Sequence, residues 1–359
     1  MKRRDILRAL AALPVLAPHA RLLARPEQAG ANAPINLHIS VAGKLPDPAH
    51  VGRVVAAGPP ASVLVYCLAP HTLSGWPFQL APAARSMMQA AGFSLPYLGR
   101  LAGRGSTLSL ESLLALKPDM VVDIGDVNPY YESAAKSVQE QTGVPYVLLD
   151  GRLNDSPAQL RQAGHILGQA ERGQQLALRA QAILDSAHQA ARPRAKGLKA
   201  YLARGNDGLE TGMGQSIHTE VLRLCGLTVM GDEKADNRLG RISYEQLLAW
   251  DPDILFAQDD AFFELARTQA PWSQLKAVRE GRLYRVPALP FGWLDGPPGI
   301  NRLAGVIWLN ALLEGSAAMP RMYSELQAFY SAFYGMSLDQ MQVKRLVQGL
   351  DPLGPQQAA

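Results

Sequence analysis

A fifteen-residue segment occurs twice in this chain. Leu108-Ser-Leu-Glu-Ser-Leu-Leu-Ala-Leu-Lys-Pro-Asp-Met-Val-Val reappears as Ile242-Ser-Tyr-Glu-Gln-Leu-Leu-Ala-Trp-Asp-Pro-Asp-Ile-Leu-Phe, at a constant offset of 134 residues. Each copy reads as a short helix capped by a serine (Ser109, Ser243), a Pro-Asp break and an apolar buried strand. A looser echo precedes each. Arg53–Ala57 is a strand followed by Gly58-Pro-Pro-Ala-Ser and an apolar helix to Leu68. Leu198–Ala203 is a strand followed by Gly214-Gln-Ser-Ile-His and a helix to Cys225. Pro59 and Pro60 suit a helix's first turn, where a missing amide hydrogen does little harm. Two copies of strand–helix…helix–strand predict an α/β fold of two Rossmann-like lobes.

Between the copies, Ser156–Arg192 is rich in Ala, Gln, Leu and Arg, and its only proline, Pro157, follows the Ser156 cap. The spacing predicts one long helix of roughly 55 Å, a stiff connector with the ligand cleft between the lobes it joins. Gly164, Gly168 and Gly173 weaken it and leave a break open. The expected organisation is then a signal peptide over 1–31, an N-terminal lobe over 32–155, the connecting helix over 156–192 and a C-terminal lobe over 193–359. Later, Arg282–Val286 reads as a strand, about Gly299 to Leu313 as an apolar helix, and Pro320–Phe333 as a final amphipathic helix before a polar tail.

The charge is concentrated at the start. Residues 1–31 hold six basic and two acidic side chains, and outside them the two signs balance. A chain without bulk positive charge is not expected to take nucleic acid as its partner. Lys2-Arg3-Arg4 precedes a short apolar stretch, Ala9–Ala17, and small residues at Ala29-Gly30-Ala31, the pattern of a removable export signal cut near Ala31. Arg3-Arg4-Asp5-Ile6-Leu7 resembles the twin-arginine form; an ordinary secretory signal is the alternative. No apolar run approaches the ~18 residues of a membrane span. The expectation is a soluble exported chain in the periplasm. Cys67 and Cys225 both end apolar helical runs and fall in different lobes, so they read as small buried hydrophobes rather than a bridge.

With these segments in order, the chain resembles the class III periplasmic substrate-binding proteins of ABC importers. The carriers are Ser109–Asp119, Thr211-Gly212 with Ser216-Ile217 and Val221–Gly226, Ser243–Asp253, and Trp272–Val286, in the family's order between residues 109 and 286, and the resemblance covers nearly the whole mature chain. The resemblance implies two lobes, one long helix, and capture of an iron–siderophore complex, haem, cobalamin or a metal oxyanion for delivery to an ABC permease dimer with its ATPase subunits. It implies a monomer with no intrinsic cofactor. It also assigns Glu111 and Glu245, equivalent in the two copies, to pairing with arginines of the permease. Their alternative role is stabilisation of a helix N-terminus, worth ~0.3–1 kcal/mol, and the two roles are compatible. Cobalamin-binding members carry a tryptophan shortly before each docking glutamate, where this chain has Gly105 and Leu239; cobalamin is therefore disfavoured.

Loops at strand ends should line the cleft. From them Pro60, Trp76, Tyr130, Tyr131, Trp293 and Asn301 are candidate ligand contacts, with His218 as a further polar one. Arg104, Arg241 and Arg302 are candidate partners for an anionic chelate or oxyanion. Packing at a loop base is the alternative for the aromatics, a solvated surface for the arginines. The segment Pro290-Phe-Gly-Trp-Leu-Asp-Gly-Pro-Pro-Gly-Ile-Asn-Arg is either a ligand loop presenting Trp293 and Asn301 or a rigid turn packing Trp293 inward. The former is the expectation.

A bare divalent metal is a second reading, with His71 and His218 from opposite lobes, although their spacing does not support a site. No Gly-x-Gly-x-x-Gly, Walker loop, Gly-x-Ser-x-Gly or Cys-x-x-Cys occurs, so an enzyme is not expected. Asp259-Asp260 reads as a solvated helix start. The leading expectation is capture of a metal chelate, iron–siderophore before haem or cobalamin, with molybdate-type oxyanions as the alternative.

Overall fold

The computed structural model describes residues 37–353, apart from 103–104, 196, 235–236 and the side chains of 191–194. The expected export signal over 1–31, with its twin arginines and its cut near Ala31, lies outside them.

In the first half, β1 (Ile39–Ala42), β2 (Val54–Ala56), α1 (Pro59–Leu68), α2 (Pro82–Ala90), α3 (Leu110–Ala115), β3 (Met120–Gly125), α4 (Pro129–Thr142) and β4 (Tyr146–Asp150) follow one another. Its four strands form one sheet in the order β1-β4-β3-β2, parallel except for the antiparallel edge strand β1. Two helices come next, α5 (Ser156–Ile166) and α6 (Ala170–Arg194). The second half contains β5 (Lys199–Ala203), β6 (Glu210–Gly212), α7 (Glu220–Leu224), β7 (Thr228–Val229), β8 (Leu239–Arg241), α8 (Tyr244–Trp250), β9 (Ile254–Ala257), α9 (Asp260–Thr268), α10 (Ala270–Ser273), α11 (Lys276–Arg279) and β10 (Leu283–Arg285). Its main sheet has the order β10-β9-β5-β7, all parallel, and β6 pairs with β8 in a small ribbon. Helices α12 (Arg302–Glu314), α13 (Met319–Tyr334) and α14 (Gln340–Val347) close the described chain.

The duplication is visible in this arrangement. The parallel trio β4-β3-β2 of one sheet corresponds to β10-β9-β5 of the other, and the repeated segment supplies α3–β3 and α8–β9. Ser109 Oγ accepts the Ser112 amide at 3.1 Å, and Ser243 Oγ accepts the Gln246 amide at 3.1 Å. Side chains on a strand alternate between faces, and here the alternation sorts residues into layers. Val55, Val121 and Leu148 pack outward with Leu113 and Ala135. Tyr201, Leu255 and Ala257 pack outward with Phe262 and Trp272. The opposite faces, with Val54, Met120 and Val147 on one sheet and Ala200, Leu202 and Phe256 on the other, join a single core. That core is filled by α1 and α12, both buried over most of their circumference.

The connector differs from the single rod expected over 156–192. The chain turns at Gly168, whose φ of +70° lies in the left-handed region, and a Cβ there would meet the Pro48 carbonyl oxygen at 2.3 Å. Helices α5 and α6 therefore pack against each other, and α6 alone runs from the first half to the second. It is rooted in the first by Arg172, whose Nε donates to the Cys67 carbonyl at 2.6 Å, and it leads into β5. At 25 residues it spans ~37 Å rather than 55.

The C-terminal helices also depart from expectation. The tail continues into α14, with a complete capping box from Asp339 and Gln342. Although α13 follows the second sheet in sequence, it packs against α1: Tyr66 Oη donates to the Tyr334 carbonyl at 3.0 Å. Both cysteines are buried and unbridged, and burial pushes the Cys67 thiol up to about 12.

The α5–α6 contact gives a first prediction. A Cβ on Gly173 would lie 2.6 Å from the Leu160 carbonyl oxygen, a backbone atom that cannot move aside. Alanine favours an isolated helix over glycine by ~1 kcal/mol, but here overpacking wins. Gly173→Ala should lower the unfolding free energy by about 1–3 kcal/mol in urea titrations; a stabilised variant would refute the close approach.

Candidate functional site

The C-terminal ends of the parallel strands point their loops into the gap between the two halves. After β2 the start of α1 brings Pro59 and Pro60, and after β3 the loop brings Asp126 and the first turn of α4 brings Tyr130 and Tyr131. From the other half come Arg204 after β5, His218 ahead of α7, Arg238 and Leu239 at β8, and Asp295–Pro298 from the loop between β10 and α12. Together with Phe78, Arg100, Ala102 and Asn237 they enclose a cleft of about 620 Å³, within the ~300–1,000 Å³ of small-molecule sites.

Charge organises its far wall. Asp295 is fully buried and shared by two groups: Arg204 Nη1 pairs with Oδ2, and His218 Nδ1 lies 3.0 Å from both carboxylate oxygens. An ionised carboxylate only accepts, so Nδ1 carries the imidazole proton. Arg204 Nε is held by Glu210 at 3.1 Å, and Nη1 also donates to Gln258 Oε1 at 3.3 Å. The negative charge of Asp295 is thus spent on orienting Arg204 and His218.

The near wall is built on α4. Asn128 Oδ1 caps this helix by accepting the amides of Tyr130 and Tyr131 at 3.1 and 3.2 Å, which fixes both rings at its start. Tyr130 is 77% exposed and meets Tyr131 edge-on at 5.2 Å, so it stands at the mouth. Burial raises the Tyr131 phenol above its usual value, helped by Asp126 and Asp123. Burial also raises the Asp126 carboxyl, opposed by Arg152 and helped by Asp150. The wall therefore offers a neutral phenol able to donate a hydrogen bond.

Of the residues expected at the site, the structure brings Pro60, Tyr130, Tyr131 and His218 together. Arg104 lies outside the described residues. Five others are placed elsewhere, each for a physical reason. Trp76 is buried between Tyr66 and Phe291, with ring centroids 5.6 and 5.7 Å away. Trp293 is 1% exposed and donates its indole N–H to Tyr330 Oη at 3.1 Å, so the rigid-turn alternative holds. Asn301 is buried and staples that turn, its amide donating to the carbonyls of Gly292 and Pro297. Arg241 is exposed on β8 and pairs with Asp207. Arg302 is a buried cross-link: it donates to the Gly299, Ile217 and Gly151 carbonyls at 3.1, 2.7 and 2.6 Å and to Glu220 Oε2 at 2.8 Å. His71 sits exposed in the turn Pro70–Thr72, away from the cleft. Among the described residues no cluster of three or more His, Cys, Asp or Glu could hold a metal ion.

Sequence reasoning missed Arg100, Asp126, Arg204 and Asp295. The last had a usable signal: it is the sole charged residue in Pro290–Asn301, and a carboxylate embedded in apolar turn residues needs a cationic partner. Glu111 and Glu245 are exposed in the first turns of α3 and α8. Hydrogen bonds from its own amide and from Ser243 hold the Glu245 carboxyl below its usual value. Asp259 caps α9 by accepting the Ala261 and Phe262 amides, as expected of a solvated helix start.

A family model described as periplasmic binding protein matches residues 99–289. An Fe(3+)-citrate-binding protein of Bacillus subtilis is 25% identical over 246 residues, 65% of this chain and 75% of that protein. A vitamin B12-binding protein of Pectobacterium atrosepticum is 26% identical over 233 residues, 58% of this chain and 80% of that protein. The solved structure of an ABC transporter solute binding protein from Sulfurospirillum deleyianum aligns with a TM-score of 0.76 at 26% identity, over 85% of this chain and 95% of that one.

Proposed function

Because this chain belongs to the periplasmic binding protein family, whose members bind solutes for ABC transporters and are not enzymes, we propose that it captures an anionic iron chelate in the periplasm and delivers it to its permease. The observation that carries this is the cleft between the halves, with Arg100 on one side facing Arg204, Arg238 and His218 on the other. Arginine forks bind carboxylates and other oxyanions in two-point contacts. Of the two carboxylates in the lining, Asp295 is fully buried, hydrogen-bonded to His218 and offset by the charge of Arg204; Arg100 and Arg238 are the further cations of the lining. Tyr130 and Tyr131 add aromatic faces and a donor for the ligand periphery. Leu239, in the cleft wall, stands where the cobalamin-binding members carry a tryptophan, and this favours a smaller, more charged ligand.

Delivery rests on Glu111 and Glu245. They sit at matched places in the two repeats, exposed and N-terminal on their helices, a pairing suited to the two subunits of a permease dimer served by one monomer of this protein. The ligand assignment is tested by thermal unfolding in the presence of ferric citrate, haem, cyanocobalamin and molybdate. Ferric citrate at a hundred times its dissociation constant should stabilise the protein by about 2.7 kcal/mol. Stabilisation by cyanocobalamin but not by ferric citrate would overturn the assignment.

A further inference from the structure

Arg302 and Glu220 stand outside the cleft lining, yet they hold its two sides. Glu220 opens α7 in the second half, and its Oε2 accepts the Leu153 amide of the first half at 2.7 Å. The same oxygen accepts from Arg302 Nη1 at 2.8 Å, while Nη2 donates to the Gly151 carbonyl at 2.6 Å, just past the end of β4. Nη1 also donates to the Ile217 carbonyl at 2.7 Å, and Nε to the Gly299 carbonyl at 3.1 Å. Ile217 precedes His218 and Gly299 follows Pro298, both of which line the cleft. One guanidinium therefore fixes the strand end of one half and two cleft-lining segments of the other.

We propose that Arg302 and Glu220 form a latch that sets the gap between the halves in the unliganded protein, and are positioning residues for ligand capture. Arg302 is 1% exposed, and four of its five N–H donors are used, three on backbone carbonyls and one on the Glu220 carboxylate. A planar five-donor group in this setting locks distance and angle together, which a lysine cannot do. The helical crossing at α6 limits how far the halves separate; the latch removes the remaining freedom. A preformed cleft spares the ligand the cost of selecting a minor conformation, so loosening the latch lowers apparent affinity in proportion to the competent fraction.

The consequence for capture rests on the ligand reading above, whereas the latch itself is tested without ligand. Spin labels at Ala134→Cys on α4 and Ala261→Cys on α9, both exposed positions, report the separation of the halves in the full chain. The buried Cys67 and Cys225 stay unlabelled. The parent should give one narrow distance distribution that ferric citrate leaves in place. Arg302→Met and Glu220→Ala should each broaden it or add a longer component, and each should weaken ferric citrate binding about tenfold. Should Arg302→Met fail to fold, Glu220→Gln carries the same test, keeping the shape and one acceptor. Folded variants with the parent's distribution overturn the latch, as does a parent distribution that is already broad. Broadening in the variants, with a parent that shows no ferric citrate binding in a titration, leaves the latch standing and removes the ligand reading alone.

Discussion

Asp295→Ala is expected to lower the unfolding free energy by about 3 kcal/mol, at the low end of the ~3–5 kcal/mol seen when one partner of a buried ion pair is removed. The side chain is fully buried, and its loss strands two donors at once, Arg204 and the His218 imidazole. The cost stays at the low end because Arg204 retains Glu210 at 3.1 Å and is 20% exposed. Urea unfolding followed by tryptophan fluorescence reads this directly, since Trp293 lies two residues from the substituted position. Ferric citrate binding should weaken as well, because His218 and Arg204 lose the group that aims them. Replacing the pair together, as Arg204→Met with Asp295→Leu, separates the two effects. An apolar pair of similar volume is often neutral in place of a buried ion pair, so the share of the loss due to a stranded Arg204 should return, while His218 and Glu210 still lack these partners and binding does not recover. A single Asp295→Ala variant as stable as the parent would show that the carboxylate is not the hub drawn here.

The repeated segment made most of the fold legible, because both its helix and its strand are fixed by local chemistry. A serine cap, a carboxylate in the first turn and a Pro-Asp break mark the helix without tertiary help, and the apolar run after it suits a strand buried on both faces. The break at Gly168 was harder to see. The three glycines left a break open, but the flanks, Ala-Gln-Leu-rich on both sides, continue the same helical periodicity, so local signals do not decide between a rod and a hairpin. The turn is decided by a left-handed backbone and by the packing of Gly164 on Gly173, a contact between residues nine apart.

The site was legible only in part, for a related reason. Sequence identifies loops, but a loop has two sides. In Pro290–Asn301 the chain turns Trp293 and Asn301 toward Tyr330 and its own carbonyls, and presents Asp295–Pro298 to the cleft. Judged by type, tryptophan and asparagine looked like ligand contacts; judged by what they can satisfy internally, they belong inside. Tyr130 and Tyr131 were found because they follow the end of an apolar strand, where a cleft between α/β lobes is expected; the Asn128 cap holds both at the first helical turn. Arg204 was missed because nothing in Leu202–Gly205 announces that the residue after a buried strand meets a carboxylate 91 positions later.

Charge reversal at the two repeat glutamates should have the largest functional effect with the smallest structural one. Glu111 and Glu245 are exposed and lie outside the cleft lining, so Glu111→Arg and Glu245→Arg should leave ferric citrate affinity within about twofold and cost at most ~1 kcal/mol of helix-terminus stabilisation each. Docking is a different matter. If each carboxylate meets arginines of the permease, reversal replaces an attraction by a like-charge contact costing several kcal/mol. Uptake by cells expressing the cognate permease should then fall about a hundredfold for one reversal, at ~1.4 kcal/mol per factor of ten, and below detection for both. The reversals should behave alike if the permease is a symmetric dimer, because α3 and α8 are the same element twice and such a dimer would offer the same surface twice. Two outcomes would count against this. Loss confined to one glutamate would mean that the duplication is structural and only one half docks; equal losses of uptake and of isolated ligand binding would mean that the carboxylates serve the helices rather than the permease.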